Sequence, residues 1–265
     1  RGPGAANMVN GVAHAFLDRA PLIAITDRYS ATAHEMGLRQ RLDHRAIYAP
    51  LVKWGTTIDS RVVGAQVRRA LRTATALAPG PVHFDLPQSE TTKEVPGSEA
   101  QGPLFPEYAV LDPEEAALAG ILGTIAAARK PVILCGLGVL WDHAAPDLMR
   151  FAERLGAPVL TTSKCKGVIP EDHPLRAGCI IGGLIERKLV MESDLIITVG
   201  LDAVELQPKA WPCTIPVLSL ANLPSLDTVV PAVTEAIGNL KVLLGRLADL
   251  LPSGLKPTAK SNCVC

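Results

Sequence analysis

The sequence predicts an α/β protein: two doubly wound parallel-sheet domains, the first incomplete. Three observations carry this. Helical apolar spacings alternate with short apolar runs suited to strands buried on both faces. Gly and Pro bound those runs. A polar stretch over 88–110, QSETTKEVPGSEAQGPLFPEY and its flanks, has no sustained apolar periodicity and separates two such blocks. The expected boundaries are 1–90 for the first domain, 91–111 for a linker, 112–255 for the second domain and 256–265 for a tail. A chain of 265 residues is long enough for two modest cores.

Taken in order, Arg1-Gly2-Pro3-Gly4-Ala5-Ala6-Asn7 reads as a sharp binding loop, because glycine lets the backbone turn and approach a flat ligand closely. A helix over Asn7 to Asp18 follows, with Val9, Val12, Ala13, Phe16 and Leu17 at three- and four-residue spacings. Its first turn offers unpaired N–H groups to that loop. PLIAIT (21–26) and PVHFDLP (81–87) read as buried strands, around a helix that places Val63, Val67, Ala70, Leu71 and Ala74 on one face. Beyond the linker, Asp112 and Pro113 supply an N-cap and first-turn proline for a helix reaching Ala128. Then come strand 131–136, helix 146–155, strands 157–162, 194–200 and 215–221, and a final helix over 233–251.

Composition excludes several classes. Lys and Arg number 26, Asp and Glu 26, so there is no electrostatic footprint for nucleic acid or a membrane surface. The longest apolar stretch, Pro131 to Trp141, falls short of the roughly 18 residues a membrane span needs. The six cysteines (135, 165, 179, 213, 263, 265) show no metal or disulfide spacing, which favours a reducing compartment, taken as cytoplasmic.

Candidate sites are few. Gly136 and Gly138 end a strand where open α/β sheets place ligands, but Trp141 stands where a dinucleotide fingerprint needs a small residue. Gly200 and Asp202 occupy the matching place after strand 194–200, so the four residues form a nucleotide-cleft candidate; Asp202 equally suits a cap. Asp172-His173-Pro174 and His14 read as structural, His14 on a partly buried helix face without a nearby carboxylate. No G-x-S-x-G, H-E-x-x-H or phosphate-loop motif occurs.

The segment GPGAANMVNGVAHAFLDRAPLIAIT, Gly2 to Thr26, resembles the GPGATN-to-strand segment of thiamine-diphosphate-dependent enzymes of the acetolactate (acetohydroxyacid) synthase type, in the domain that binds the cofactor's pyrimidine. The family's glutamine, aspartate, proline and lysine fall on Gln40, Asp43, Pro50 and Lys53, and GPVHFDLPQS is similar to the family's GPVLVDLPKD. RKPVILCGLGVL, FAERLGAPVLTT, GVIPEDHPLRAG and SDLIITVG resemble successive pieces of its Rossmann-like central domain, and DHRAIYAPLVKW also resembles benzaldehyde lyase.

The resemblance implies 2-oxo acid decarboxylation or aldehyde ligation with thiamine diphosphate and Mg2+, in a homodimer or homotetramer. By the same carry-over, Gly2, Pro3, Gly4 and Asn7 lie at the cofactor, and Gln40 and Lys53 near the substrate. No catalytic residue is assigned, because the family's glutamate lies upstream of its GPG segment, before Arg1. The family's metal-binding GDG triplet does not occur in the sequence. FAD, which acetohydroxyacid synthases bind through a glycine triplet and an RFDDR-like segment, is disfavoured: here LDAVEL follows Gly200, with no arginine. The expectations are therefore a chain inactive by itself, with apolar surface on helix 7–18 and strand 21–26 in need of a cover. The alternative is a non-catalytic nucleotide-binding or interaction module.

Overall fold

The computed structural model describes residues 1–95, 115–180, 184–207, 213–224 and 230–251. The Asp112-Pro113 cap, the cysteines at 263 and 265, and most of the expected linker lie outside these. The chain divides into two compact units, Arg1–Tyr108 and Ala109–Cys265.

The first unit runs α1 (Gly2–Leu17), β1 (Ile23–Arg28), α2 (Ala31–Met36), α3 (His44–Tyr48), β2 (Trp54–Thr57), α4 (Val63–Thr75) and β3 (Val82–Pro87). Its sheet is parallel in the order β1-β3-β2. Ile23 and Trp54 both pair with Val82, so the strands start together and their C-terminal ends gather on one side. Helix α1 buries Ala5 and Val12, and Val9 packs beside Val12, Ala24 and Tyr48. That spacing is the periodicity expected of this segment.

One expectation is corrected here: Gly2-Pro3-Gly4 is not a loop before the helix but its first turn. Pro3 has the backbone angle a first turn needs and lacks only an N–H that would be unpaired there anyway. On α4, Ala70 and Ala74 are buried while Val67 is 39% exposed, so the buried stripe is narrower than the sequence suggests.

The second unit runs α5 (Glu115–Ala127), β4 (Pro131–Cys135), α6 (Gly138–Trp141), α7 (Ala145–Leu155), β5 (Val159–Thr162), β6 (Arg176–Ile180), α8 (Leu184–Met191), β7 (Leu195–Val199), β8 (Val217–Ala221), β9 (Thr234–Ile237) and α9 (Leu240–Leu250). The sheet order is β6-β5-β4-β7-β8-β9, all parallel. Counted from β4, this is the 3-2-1-4-5-6 order of dinucleotide-binding sheets, which reverses direction between β4 and β7.

Alternate residues of β4 feed opposite layers. Ile133 and Cys135 join a cluster with α7 and α9, whereas Val132 and Leu134 join one with Ile196 and Val217. Leu148, Phe151 and Leu155 of α7 meet Leu240, Leu243, Leu244 and Leu247 of α9, all buried. Each such side chain contributes about 2 kcal/mol on leaving water. Helix α7 stops at Gly156, whose φ of 68° is the left-handed conformation of a helix C-terminus.

The expected final helix over 233–251 is corrected to a strand and a shorter helix. Thr234–Ile237 pairs in parallel with β8, and Gly238-Asn239 breaks the chain before α9, where the Asn239 side chain accepts the Val242 N–H.

Candidate functional site

Parallel sheets present ligands at the C-terminal ends of their strands, and each unit has such an end. In the first unit α1 begins there. Arg1 Nε donates to Asp27 Oδ2 at 2.8 Å, and the Arg1 guanidinium lies 4.5 Å from the centre of the Tyr29 ring. Gly2 is buried, and a Cβ there would run into the carbonyl of Gln40. The structure thus brings Gly2 and Gln40 together, with Gln40 itself in the left-handed region at φ 56°. A side chain in that conformation carries strain that the surrounding packing must sustain.

Gly4 differs from Gly2. Apart from its chain neighbours and the backbone of its own helix, no heavy atom of the described residues lies within 4 Å of a Cβ built there. Three residues on, Asn7 stands exposed on the same helix face.

Lys53 is not part of this group. Its N–H donates to Pro81 O at the start of the sheet, and its ammonium donates to the carbonyl of Ala76 after α4, at 3.1 Å. The structure therefore places Lys53 at the opposite end of the strands, as a cap. Burial, then the nearby Arg19 charge, pull its pKa below the ordinary lysine value.

Below the Gly2 and Gln40 contact lies a polar cluster absent from the sequence expectations. Asp85 Oδ1 accepts from His44 Nδ1 at 2.9 Å and from Thr26 Oγ1 at 3.1 Å, and Arg28 donates to Asp85 Oδ2 at 3.1 Å. Thr26 also lies 2.8 Å from His83 Nε2, and His83 stacks on Tyr48. Tyr48 in turn donates to Ala5 O, which joins α3 to α1. His44 Nε2 and Arg28 Nε are buried without a partner among the described residues. Burial pulls His83 down to about 4, against the Asp85 charge, so its ring is neutral at pH 7. The signal in the sequence was polar residues inside strand runs, His83 and Asp85 within PVHFDLP, which a buried strand admits only when they are paired.

In the second unit the ligand position of the sheet lies between β4 and β7. Gly136, Gly138, Gly200 and Asp202 do meet there. Built-on Cβ atoms show how closely: at Gly138, 2.7 Å from Gly200 Cα and from Asn222 Oδ1; at Gly136, 2.6 Å from Gly200 O. Gly200 has φ 61°. Asp202 caps the short turn Ala203–Glu205, accepting the Val204 N–H at 3.0 Å. Glu205, not anticipated from the sequence, turns back into the crevice. Its Oε2 accepts the N–H groups of Leu137 at 3.0 Å and Asp202 at 2.8 Å, and its Oε1 accepts the Thr162 hydroxyl. Burial pushes its carboxyl above the ordinary value, while those three donors pull the other way.

The thiols of Cys135 and Cys165 lie 3.4 Å apart beneath, a proximity that their separation of 30 positions conceals in the sequence. Their hydrogen bond and burial push the Cys135 thiol up. His173 bonds Glu153 at 3.1 Å, and His14 is an exposed partner of Asp18 at 2.6 Å. The latter corrects the expectation of a partly buried ring without a nearby carboxylate.

Residues 118–241 match the model of the thiamine pyrophosphate enzyme central domain. Residues 118–241 thus carry a thiamine pyrophosphate enzyme central domain. It is 34% identical to a protein of Methanocaldococcus jannaschii named "Probable acetolactate synthase large subunit", over 75% of this chain and 35% of that one. It is 30% identical to the sulfoacetaldehyde acetyltransferase of Rhodobacter capsulatus, over 75% and 34%. The fold matches that of benzoylformate decarboxylase from Polynucleobacter necessarius with a TM-score of 0.78 at 24% identity, over 96% of this chain and 49% of that one. The chain therefore spans about a third of the curated relatives' length and about half of the solved structure's. Over three quarters of its length the chain is thus similar to proteins named as acetolactate synthases.

Proposed function

We propose that this chain is part of a thiamine-diphosphate-dependent 2-oxo acid decarboxylase or carboligase, with the cofactor lying against the first turn of α1. The observation that carries the reading is Gly4. Glycine in a helix costs about 1 kcal/mol relative to alanine, and at Gly4, as at Gly11 further along α1, no contact among the described residues requires it; Gly4 is the one in the first turn, at the C-terminal end of the strands. A flat ring approaching the backbone from outside would require it. When bound, thiamine diphosphate supplies an electron sink for breaking the bond beside a 2-oxo group.

This chain's residues have supporting roles. Gly4 and Asn7 form the face against the ring. Gln40, pinned by Gly2 and the αL backbone, offers a neutral amide that can bond a substrate carbonyl without adding charge. The buried cluster around Asp85 holds β1, β3 and α3 in register beneath it. Lys53, at the other end of the sheet, has no part. Among the described residues no three His, Cys, Asp or Glu side chains converge as a metal site, so Mg2+ is assigned no ligand on this chain. The reaction is left at its class, since acetolactate synthase and sulfoacetaldehyde acetyltransferase relatives match at similar identity.

The exposed side chains Leu17 of α1 and Ile25 of β1, 57% and 56% accessible, are proposed to be covered in a homodimer or homotetramer of the whole enzyme. No helix of the described residues is long and apolar enough to cross a membrane. The test is turnover. The 265-residue chain with thiamine diphosphate and Mg2+ should consume no 2-oxo acid, and a longer protein that includes the family's glutamate and GDG segments should do so. Consumption by the chain itself would refute this reading.

A further inference from the structure

The crevice between β4 and β7 sits where sheets of this strand order hold a dinucleotide, and it contains glycines that suggest one. Such a site works by leaving backbone N–H groups of the glycine turn free to meet the phosphates. Here none of the N–H groups over 136–140 is free. Gly136 donates to Val199 O at 2.9 Å, Gly138 to Gly200 O at 2.8 Å, Val139 to Gly136 O at 3.2 Å and Leu140 to Leu137 O at 2.9 Å. The remaining one, on Leu137, donates to Glu205. From the facing loop, the Asp202 N–H points to the same carboxylate oxygen. The Thr162 hydroxyl at the end of β5 takes the other oxygen.

Glycine at 136 and 138 is explained from inside as well. A Cβ at Gly136 would strike the Glu205 carboxylate, and one at Gly138 would strike Gly200 and Asn222. These glycines let two loops and a carboxylate close on each other and leave no cradle.

We propose that Glu205 is a built-in anion that occupies the place of a nucleotide diphosphate at this switch point, making the central domain a framework that excludes FAD and other adenine nucleotides. A phosphate entering here would have to displace hydrogen bonds to a carboxylate and then lie against its charge, and like-charge juxtaposition costs several kcal/mol. The inference is independent of the thiamine reading, because it concerns a different unit and different ligands.

Three measurements on the 265-residue chain test it. Calorimetric titration with ADP and with FAD to about 1 mM, the weak end of specific binding, should give no saturable heat. Hydrogen exchange should show the amides of Leu137 and Asp202 protected without ligand and unchanged by ADP. The Glu205→Ala variant, if circular dichroism shows it folded, should melt about 5 °C lower. It should regain part of that in a saturable way with formate, but not with chloride at equal ionic strength.

Saturable ADP or FAD binding by the unaltered chain would overturn the proposal. So would rapid exchange at Leu137 and Asp202 that slows when ADP is added, or a folded Glu205→Ala variant of unchanged stability that ignores formate. The exchange measurement needs no variant and decides the matter even if Glu205→Ala fails to fold.

Discussion

The two sheet ends use glycine for opposite purposes. At the switch point of the second unit, Gly136, Gly138 and Gly200 are surrounded by backbone and by the Glu205 carboxylate, and each would clash with its neighbours if given a Cβ. At the start of α1, Gly2 is enclosed by Gln40 in the same manner, yet Gly4, two residues on, meets nothing among the described residues beyond its own helix. A glycine motif at a strand end therefore signals either internal close packing or an approach from outside. The space around the missing Cβ distinguishes them.

The largest expected effect lies in the closed region. Gly200→Val would place a branched side chain at φ 61°, against Gly138 Cα at 2.8 Å and Leu240, and should destabilise the second unit by at least about 4 kcal/mol. Urea unfolding followed by tryptophan fluorescence would show it as loss of the native baseline.

Next is the acid response of the polar cluster in the first unit. His83 is neutral when folded, with its pKa near 4, whereas an unfolded histidine takes a proton near 6.5. Between those values the unfolded chain binds more protons, so stability is fully present above about pH 6.5. It falls as pH drops towards 4, by up to about 3 kcal/mol. Urea midpoints at pH 7 and pH 4.5 should differ in the unaltered protein and draw together in His83→Gln.

Gly2→Ala should cost about 2 kcal/mol, because the Gln40 backbone must move. Smaller still, Asn239→Ala should cost about 1 kcal/mol by removing the cap of α9, read as a shift of the second unit's melting temperature.

Much of the architecture was readable from periodicity. Strands buried on both faces, such as Pro131–Cys135 and Leu195–Val199, declare themselves as continuous apolar runs. β9 did not, because Thr234-Glu235-Ala236-Ile237 buries only Ala236 and sits beside a helix rich in leucine, so its four residues merge with the helical pattern. β2 was missed for a related reason: Trp54–Thr57 is half-buried throughout and shows neither alternation nor a continuous apolar run.

The candidate site was readable only in part. Gly2 and Gln40 lie against each other, a contact that no spacing in the sequence announces, and Lys53 is carried to the other end of the sheet by its place before β2. Glu205 and the cluster of Thr26, His44, His83 and Asp85 depend on contacts between residues 41 to 68 positions apart. No local pattern encodes those contacts, although Asp202 and Glu205 have the three-residue spacing of a capping box.

The most direct measurement compares thermal unfolding of Gly4→Ala and Gly138→Ala with that of the unaltered chain. With nothing among the described residues beyond its own helix close to Gly4, alanine there should raise the melting temperature of the first unit by about 2–5 °C through better helix propensity. Alanine at 138 should lower that of the second unit by about 10 °C, as Gly200 and Asn222 are forced aside. A destabilised Gly4→Ala, or a Gly138→Ala that melts with the unaltered protein, would contradict the assignment of an open end in one unit and a closed one in the other.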